Sequence, residues 1–255
     1  MTPADNRGPM KLNADDRKFI AETLPTVEGW LLDDSAFLTS SLIRWQTDMG
    51  TPGDIFEIGV FAGKYLSLLY HLTGGTDKRV LGLDTFQWYP RENVEQNFAR
   101  VFGNPDRLTL TTADSTQVTA GNVVEKLGGK PMFISVDGAH TAPAVLHDLI
   151  LSEQILADGG IVAIDDVLNP RAIGVGEGAY RYFLTRERKG LTPFAYCANK
   201  LYAAHRHEAG RFSQAVWQFT RDNPGLKVAD DFNDLLAKGR AWVEQDLFGL
   251  PVVIL

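Results

Sequence analysis

Two hydrophobic periods alternate along the chain from about residue 55 to 205. Short runs that are nearly all apolar, at 55–58, 80–83, 108–110, 132–136 and 161–164, predict strands buried on both faces. Between them, apolar residues recur at helical spacing over 63–72, 92–102, 118–127 and 142–156. In the last of these, Val145, Leu146, Leu149 and Ile150 share a face, and Gly159-Gly160 supplies a stop. Strand–helix alternation of this kind predicts right-handed crossovers, hence an α/β fold with a doubly wound, mostly parallel sheet. A helix over 176–188 follows. Then 193–197 and 201–204, separated by Ala198-Asn199-Lys200, read as a hairpin that closes the sheet with antiparallel strands.

Outside that core the pattern is weaker. Residues 1 to about 15 read as a loose tail, followed by helices over 15–24 and 35–49. In the second helix Phe37, Leu38, Leu42, Ile43 and Trp45 lie partly on one face, and Met49-Gly50-Thr51-Pro52-Gly53 ends it. Helices are expected near 211–220 and 232–246, before an apolar end, PVVIL. The expected organisation is an N-terminal tail with helices (1–50, a lid or an interface), a central α/β domain (51–205) and a C-terminal helical extension (206–255).

Composition narrows the partners. A formal net charge of -7 argues against nucleic acid, because phosphate backbones are met by clustered Lys and Arg. The single cysteine, Cys197, excludes an internal disulfide and a cysteine-based zinc centre, and fits a reducing cytoplasm. The polar start of the chain has no signal-peptide character, and no apolar run is long enough for a membrane. The apolar end PVVIL admits packing on a partner chain, as in a homodimer, or on the domain's own sheet.

In open α/β sheets, ligands bind beyond the carboxyl ends of the strands, so the strand exits carry the chemistry. The first exit, EIGVFAGKYLSLL from Glu57, has Gly59 and Gly63 to turn the chain tightly before a helix N-terminus. Val60, Phe61 and Ala62 stand where the dinucleotide G-x-G-x-x-G fingerprint needs another glycine, which counts against a nicotinamide enzyme. The second exit, GLDTF, offers Asp84 and Thr85 to a ribose; a helix-capping Asp is the plainer reading. The third, TTADST, offers Asp114 and Ser115 to an adenine edge, or caps the next helix. A glycine loop and two acids on successive strands describe an adenosine-shaped ligand. The fourth exit, SVDGAH, brings Asp137 and His140, and the fifth, IVAIDDV, brings Asp165 and Asp166. Three carboxylates from neighbouring strands suit Mg²⁺, Mn²⁺ or Ca²⁺, whose charge would offset their mutual repulsion. Otherwise one Asp caps a helix and the others face water.

These motifs resemble the adenosylmethionine-binding motifs of class I methyltransferases. SVDGAH with IVAIDDV looks like the metal-dependent O-methyltransferases of the catechol, caffeoyl-coenzyme A and macrocin types, and the flow of residues 136–167 resembles the bacterial "methyltransferase domain 24" group. The resemblance spans about residues 50–205. It implies a Rossmann-like S-adenosylmethionine-binding domain that methylates a hydroxyl of a small molecule. Glu57, Gly59 and Gly63 would line the methionine end, Asp84 with Thr85 the ribose, and Asp114 with Ser115 the adenine. Asp137, Asp165 and Asp166 would hold a divalent cation, Mg²⁺ by analogy, and His140 with Asp137 would serve catalysis.

Phe61 replaces the motif's middle glycine, Asp-Asp replaces the usual Asp-Asn, and Ala139 stands where sugar-type enzymes often carry an acid. The site also reads as a metal-free transferase or as a pocket that binds without turnover. Around it, Trp88, Tyr89, Asn169 and Arg171 are candidate cofactor or acceptor contacts. Lys64 and His147 read as surface or packing residues. Trp30 and Trp45 read as core, with a lid or dimer interface as the alternative.

Overall fold

The computed structural model describes residues 10–185 and 190–255. The first nine residues of the tail expected over 1–15, and the last residues of the helix expected over 176–188, lie outside the described residues. The rest of that tail is not loose: Met10 and Leu12 are buried, and their N–H groups donate to Asp222 Oδ2 (2.8 Å) and Asn223 Oδ1 (2.9 Å). The five strands of the apolar runs form as β1 (Ile55–Ile58), β2 (Val80–Asp84), β3 (Leu108–Thr112), β4 (Phe133–Val136) and β5 (Ile161–Asp165). They are followed by β6 (Leu191–Cys197), β7 (Lys200–His205), β8 (Glu244–Leu247) and β9 (Leu250–Ile254). All join one sheet in the order β3-β2-β1-β4-β5-β7-β6-β9-β8. β1 to β5 pair in parallel, and β7 runs antiparallel between β5 and β6. The order reverses between β1 and β4, which opens the crevice where such sheets bind ligands.

The helices are α1 (Ala14–Lys18), α2 (Asp33–Asp48), α3 (Lys64–Leu72), α4 (Arg91–Phe102), α5 (Ala120–Leu127), α6 (Ala142–Ile155), α7 (Ile173–Tyr180), α8 (Ala209–Asp222) and α9 (Lys227–Lys238). A separate apolar core lies on each face of the sheet. One gathers residues of α2, α3, α4 and α8; the other gathers α5, α6 and α7. No helix among the described residues is long and apolar enough to cross a membrane.

Two further expectations at the chain ends change. The helix expected over 15–24 is α1 followed by a π-turn at Phe19–Thr23 and a 3-10 turn at Leu24–Thr26, where Pro25 ends the α-helical ladder. Asp16 locks this segment down: its buried carboxylate accepts from Arg44 at 2.8 and 3.0 Å and lies 2.8 Å from His71 Nε2. The helix expected over 232–246 stops at Lys238, because Gly239 takes φ 145, a conformation that favours glycine. Beyond it β8 and β9 form a hairpin across Phe248 and Gly249, both at positive φ (56 and 72), as a tight hairpin turn needs. PVVIL therefore packs on the chain's own sheet, with Val252 and Val253 buried and β9 running parallel to β6.

Candidate active site

A cleft of about 1110 Å³ opens at the carboxyl ends of β1, β2, β4 and β5, large enough for a nucleoside-sized ligand and a second small molecule. At its floor, Gly59 is required by space. A Cβ there would lie 1.8 Å from the Asp137 carbonyl oxygen, and φ is 84. The exits of β1 and β4 thus touch backbone to backbone, with Asp137 N donating to Ile58 O at 2.8 Å. Gly63 begins α3 at φ 87, and a Cβ there would meet Val94 and Phe98 at 3.1 Å.

Asp84 stitches the glycine loop to the next one. Its Oδ2 accepts from Val60 N (2.7 Å) and Phe61 N (2.9 Å), and its Oδ1 from Phe86 N (2.7 Å). This holds Phe61 at φ 49, the left-handed conformation a glycine would take there. Each carboxylate oxygen retains lone-pair capacity, so Asp84 can still accept from hydroxyls in the cleft. Thr85 lines the same wall. Asp114 caps the short 3-10 turn Ser115–Gln117, accepting from Thr116 N and Oγ1 through Oδ1 (2.9 and 2.8 Å), and Ser115 is buried behind it. Both capping and ligand-facing roles are compatible, since Asp114 and Ser115 line the cleft.

Glu57 is wholly buried on β1. Burial, then the Asp137 charge, push its carboxyl well above the usual range against the pull of Lys200 and Ser135, which favours the protonated acid. Its Oε2 has no partner among the described residues.

At the other half of the cleft, His140 Nε2 lies 3.4 Å from Asp137 Oδ1 and 3.8 Å from Asp166 Oδ2. The Asp137 hydrogen bond raises the His140 pKa above its ordinary value; burial opposes it, and the charges of Asp137, Asp166 and Asp165 add to it. Ligand atoms of Asp137, His140 and Asp166 fall within 4.8 Å of one another.

The Asp pair has an internal explanation. Asp166 sits at φ 60, a left-handed kink, so the two carboxylates meet different partners. Asp166 Oδ1 accepts from Asn169 Nδ2 at 2.9 Å, and its N–H donates to Asn199 O at 3.0 Å. Asp165 is buried, and its Oδ2 lies 3.0 Å from Lys200 Nζ, the residue directly opposite on β7. Asp165 falls outside the Asp137–His140–Asp166 group, so the structure brings two of the three expected metal ligands together with His140 in place of the third. Lys200 was hidden in the sequence as part of a turn, Ala198-Asn199-Lys200. Its signal is register: the first residue of an antiparallel β7 falls opposite the last residue of β5.

The mouth is aromatic. Trp30 stacks on Phe61 with centroids 5.5 Å apart, and Phe61 meets Tyr89 at 5.4 Å. Trp30 is 87% exposed and Trp88 88%, so the core reading of Trp30 does not hold, whereas Trp45 is buried against Phe212. Lys64 Nζ donates to Gly29 O (2.9 Å) and ties the Trp30 segment to the mouth. Arg171 lines the cleft, and His147 stands outside it, beside the buried Asp148.

Residues 56–167 match the family described as Methyltransferase domain. No curated protein matches the chain by sequence. Among solved structures, the O-methyltransferase NovP superposes with a TM-score of 0.56 at 13% identity, covering 67% of this chain and 79% of that one. The SAH-bound Podospora anserina methyltransferase PaMTH1 gives 0.52 at 17% identity, covering 79% and 91%. TomG from Streptomyces achromogenes, an O-methyltransferase solved in complex with SAM, gives 0.51 at 14%, covering 76% and 91%. At such identities the likeness establishes the fold.

Proposed function

We propose that the region matching the methyltransferase domain family, residues 56–167, is a class I, S-adenosylmethionine-dependent domain with which the chain methylates a hydroxyl of a small molecule. The observation that carries this reading is the Asp137–His140 pair, at 3.4 Å, facing the same cleft as the Gly59–Asp84 loop. In this account Glu57, Gly59 and Gly63 border the methionine end of the cofactor. Asp84 and Thr85 take the ribose hydroxyls, and Asp114 and Ser115 the adenine. Residues 51–205 act as the catalytic domain, and the segments 1–50 and 206–255 are accessory to it.

The sulfonium methyl is already electrophilic, so the protein's task is to present an oxygen in line with it and remove that oxygen's proton. The oxygen–carbon bond forms as the carbon–sulfur bond breaks, and S-adenosylhomocysteine leaves. With Nε2–H facing the Asp137 carboxylate, His140 takes the hydroxyl proton on its other ring nitrogen, Nδ1, and Asp137 stabilises the imidazolium that results. The exposed rings of Trp30 and Trp88 at the mouth favour an acceptor with an apolar or planar body.

A second reading adds a divalent cation on Asp137, Asp166 and His140, favoured by the closeness of their ligand atoms. That mixed oxygen and nitrogen set suits Mn²⁺ or another first-row ion better than Mg²⁺, which keeps to oxygen. Such an ion would lower the pKa of the acceptor hydroxyl.

The test is transfer of a deuterated methyl group from S-adenosylmethionine to a panel of catechols, sugar diols and hydroxylated polyketides, read by mass spectrometry with and without chelator. An O-methyl product that survives chelation supports the His140 mechanism, and one abolished by it supports the cation. Cofactor binding with no product across the panel would favour a binding module instead.

A further inference from the structure

We infer that Lys200 is the acid cluster's own counter-cation: its ammonium claims the Asp165 carboxylate and thereby limits the affinity of the cleft for a divalent ion. The inference rests on the methyl-transfer reading only for the cleft's role, and its chemistry stands on the strands themselves.

Lys200 is only 2% exposed, and a buried ammonium is tolerated only where something offsets its lost hydration. Here three groups do so. Asp165 Oδ2 lies 3.0 Å away, directly across the β5–β7 pair. The Tyr65 ring lies 4.1 Å beneath the ammonium, a cation–π contact. Asp137 adds its charge from β4's exit, and together these hold the lysine above its ordinary pKa although burial pulls it down. Tyr65 is fixed in turn, through Thr39 at 2.8 Å to the Tyr202 hydroxyl at 2.9 Å. The ammonium is therefore set in a rigid frame rather than on a free side chain.

Its place decides what Asp165 can do. Asp165 Oδ2 is taken, and Asp165 Oδ1 is buried without a hydrogen-bond partner. The carboxylate belongs to the lysine, outside the group formed by Asp137, His140 and Asp166. A dication on the Asp137–His140–Asp166 group would be repelled by this fixed positive charge, which lowers its affinity by about tenfold or more even at an effective protein dielectric. Asp165 is thus a latent ligand, released only when the lysine's charge is removed.

The experiment is a Mn²⁺ titration followed by electron paramagnetic resonance, with and without S-adenosylhomocysteine. It compares wild type, Lys200→Gln, and Lys200→Gln/Asp165→Asn. Calorimetry of S-adenosylhomocysteine on the same samples reports the cofactor reading separately, so failure of one is not mistaken for failure of the other. Lys200→Gln is expected to bind Mn²⁺ at least about tenfold more tightly than wild type, and the double variant to lose that gain. Equal Mn²⁺ binding by wild type and Lys200→Gln, or none by either, overturns the inference. If Lys200→Gln does not fold, the charge-balanced pair Lys200→Met/Asp165→Asn takes its place. Binding equal to wild type supports the inference, and a loss of about tenfold or more overturns it by making Asp165 a working ligand.

Discussion

At the exit of β2, Asp84 fills its carboxylate with the N–H groups of Val60, Phe61 and Phe86, two loops that lie within 26 residues of one another along the chain. At the exit of β5, Asp165 and Asp166 are met by side chains instead: Lys200 from β7, His140 from the loop after β4, and Asn169. The first half of the cleft is a scaffold of backbone donors that a polar ligand can join without displacing anything. The second is a balance of charges, in which every acid already has a partner that a proton, a cation or a substrate must compete with. On the proposed reading, the difference separates binding from chemistry: the backbone-braced half holds the cofactor, and the charge-balanced half exchanges a proton.

Variants at the two halves should therefore fail in different ways. The largest effect expected is on turnover. His140→Ala should lower kcat about 10²–10⁴-fold while leaving S-adenosylhomocysteine affinity as in wild type, measured by methyl transfer and calorimetry side by side. A matching loss of cofactor affinity would erase the division between the halves. Next is stability. Lys200→Met leaves Asp165 buried and unpaired, and should cost about 3–5 kcal/mol in urea unfolding, whereas removing both charges together should be close to neutral.

Asp84→Asn should show the reverse of His140→Ala. It weakens three bonds to one carboxylate, each worth about 1.5–3 kcal/mol when charged. Cofactor affinity should fall by about tenfold or more while the pH dependence of residual turnover stays put. That pH dependence is the next test. A base works deprotonated, and Asp137 raises the pKa of His140, so kcat/KM should climb with pH through an inflection above 6.5. In Asp137→Asn the inflection should move down, because the charge that favoured the imidazolium is gone; an unmoved inflection would assign the titration to another group. The smallest effect belongs to Phe61→Gly. Relief of a left-handed backbone at φ 49 and loss of the Trp30 and Tyr89 ring contacts oppose each other, so stability should change by no more than about 1 kcal/mol in thermal unfolding.

The same contrast explains what could be seen in the sequence. β1 to β5 and the helices between them stand within a residue or two of their expected places, because each is written as an uninterrupted local period. The glycine loop and Asp84 were legible for the same reason, since strand–turn–helix spacing alone brings them together. The partners of Asp165 and Asp166 were not. Lys200 reaches Asp165 only through the register of a hairpin that returns antiparallel beside β5, and the left-handed turn at Asp166 leaves no mark beyond the identity of one residue. The C-terminal hairpin hid behind a turn made with Phe248-Gly249 rather than the usual Asn-Gly or Asp-Gly. Trp30 reads as core in the sequence because hydrophobicity alone does not say which side of a cleft a ring will line.

The most direct test is a calorimetric titration of S-adenosylhomocysteine into wild type, Asp84→Asn and His140→Ala. One site per chain in wild type, kept in His140→Ala and weakened about tenfold or more in Asp84→Asn, is the predicted result. Absence of binding in wild type, or equal affinity in all three, would contradict a cofactor half built around Asp84 and a separate half built for proton transfer.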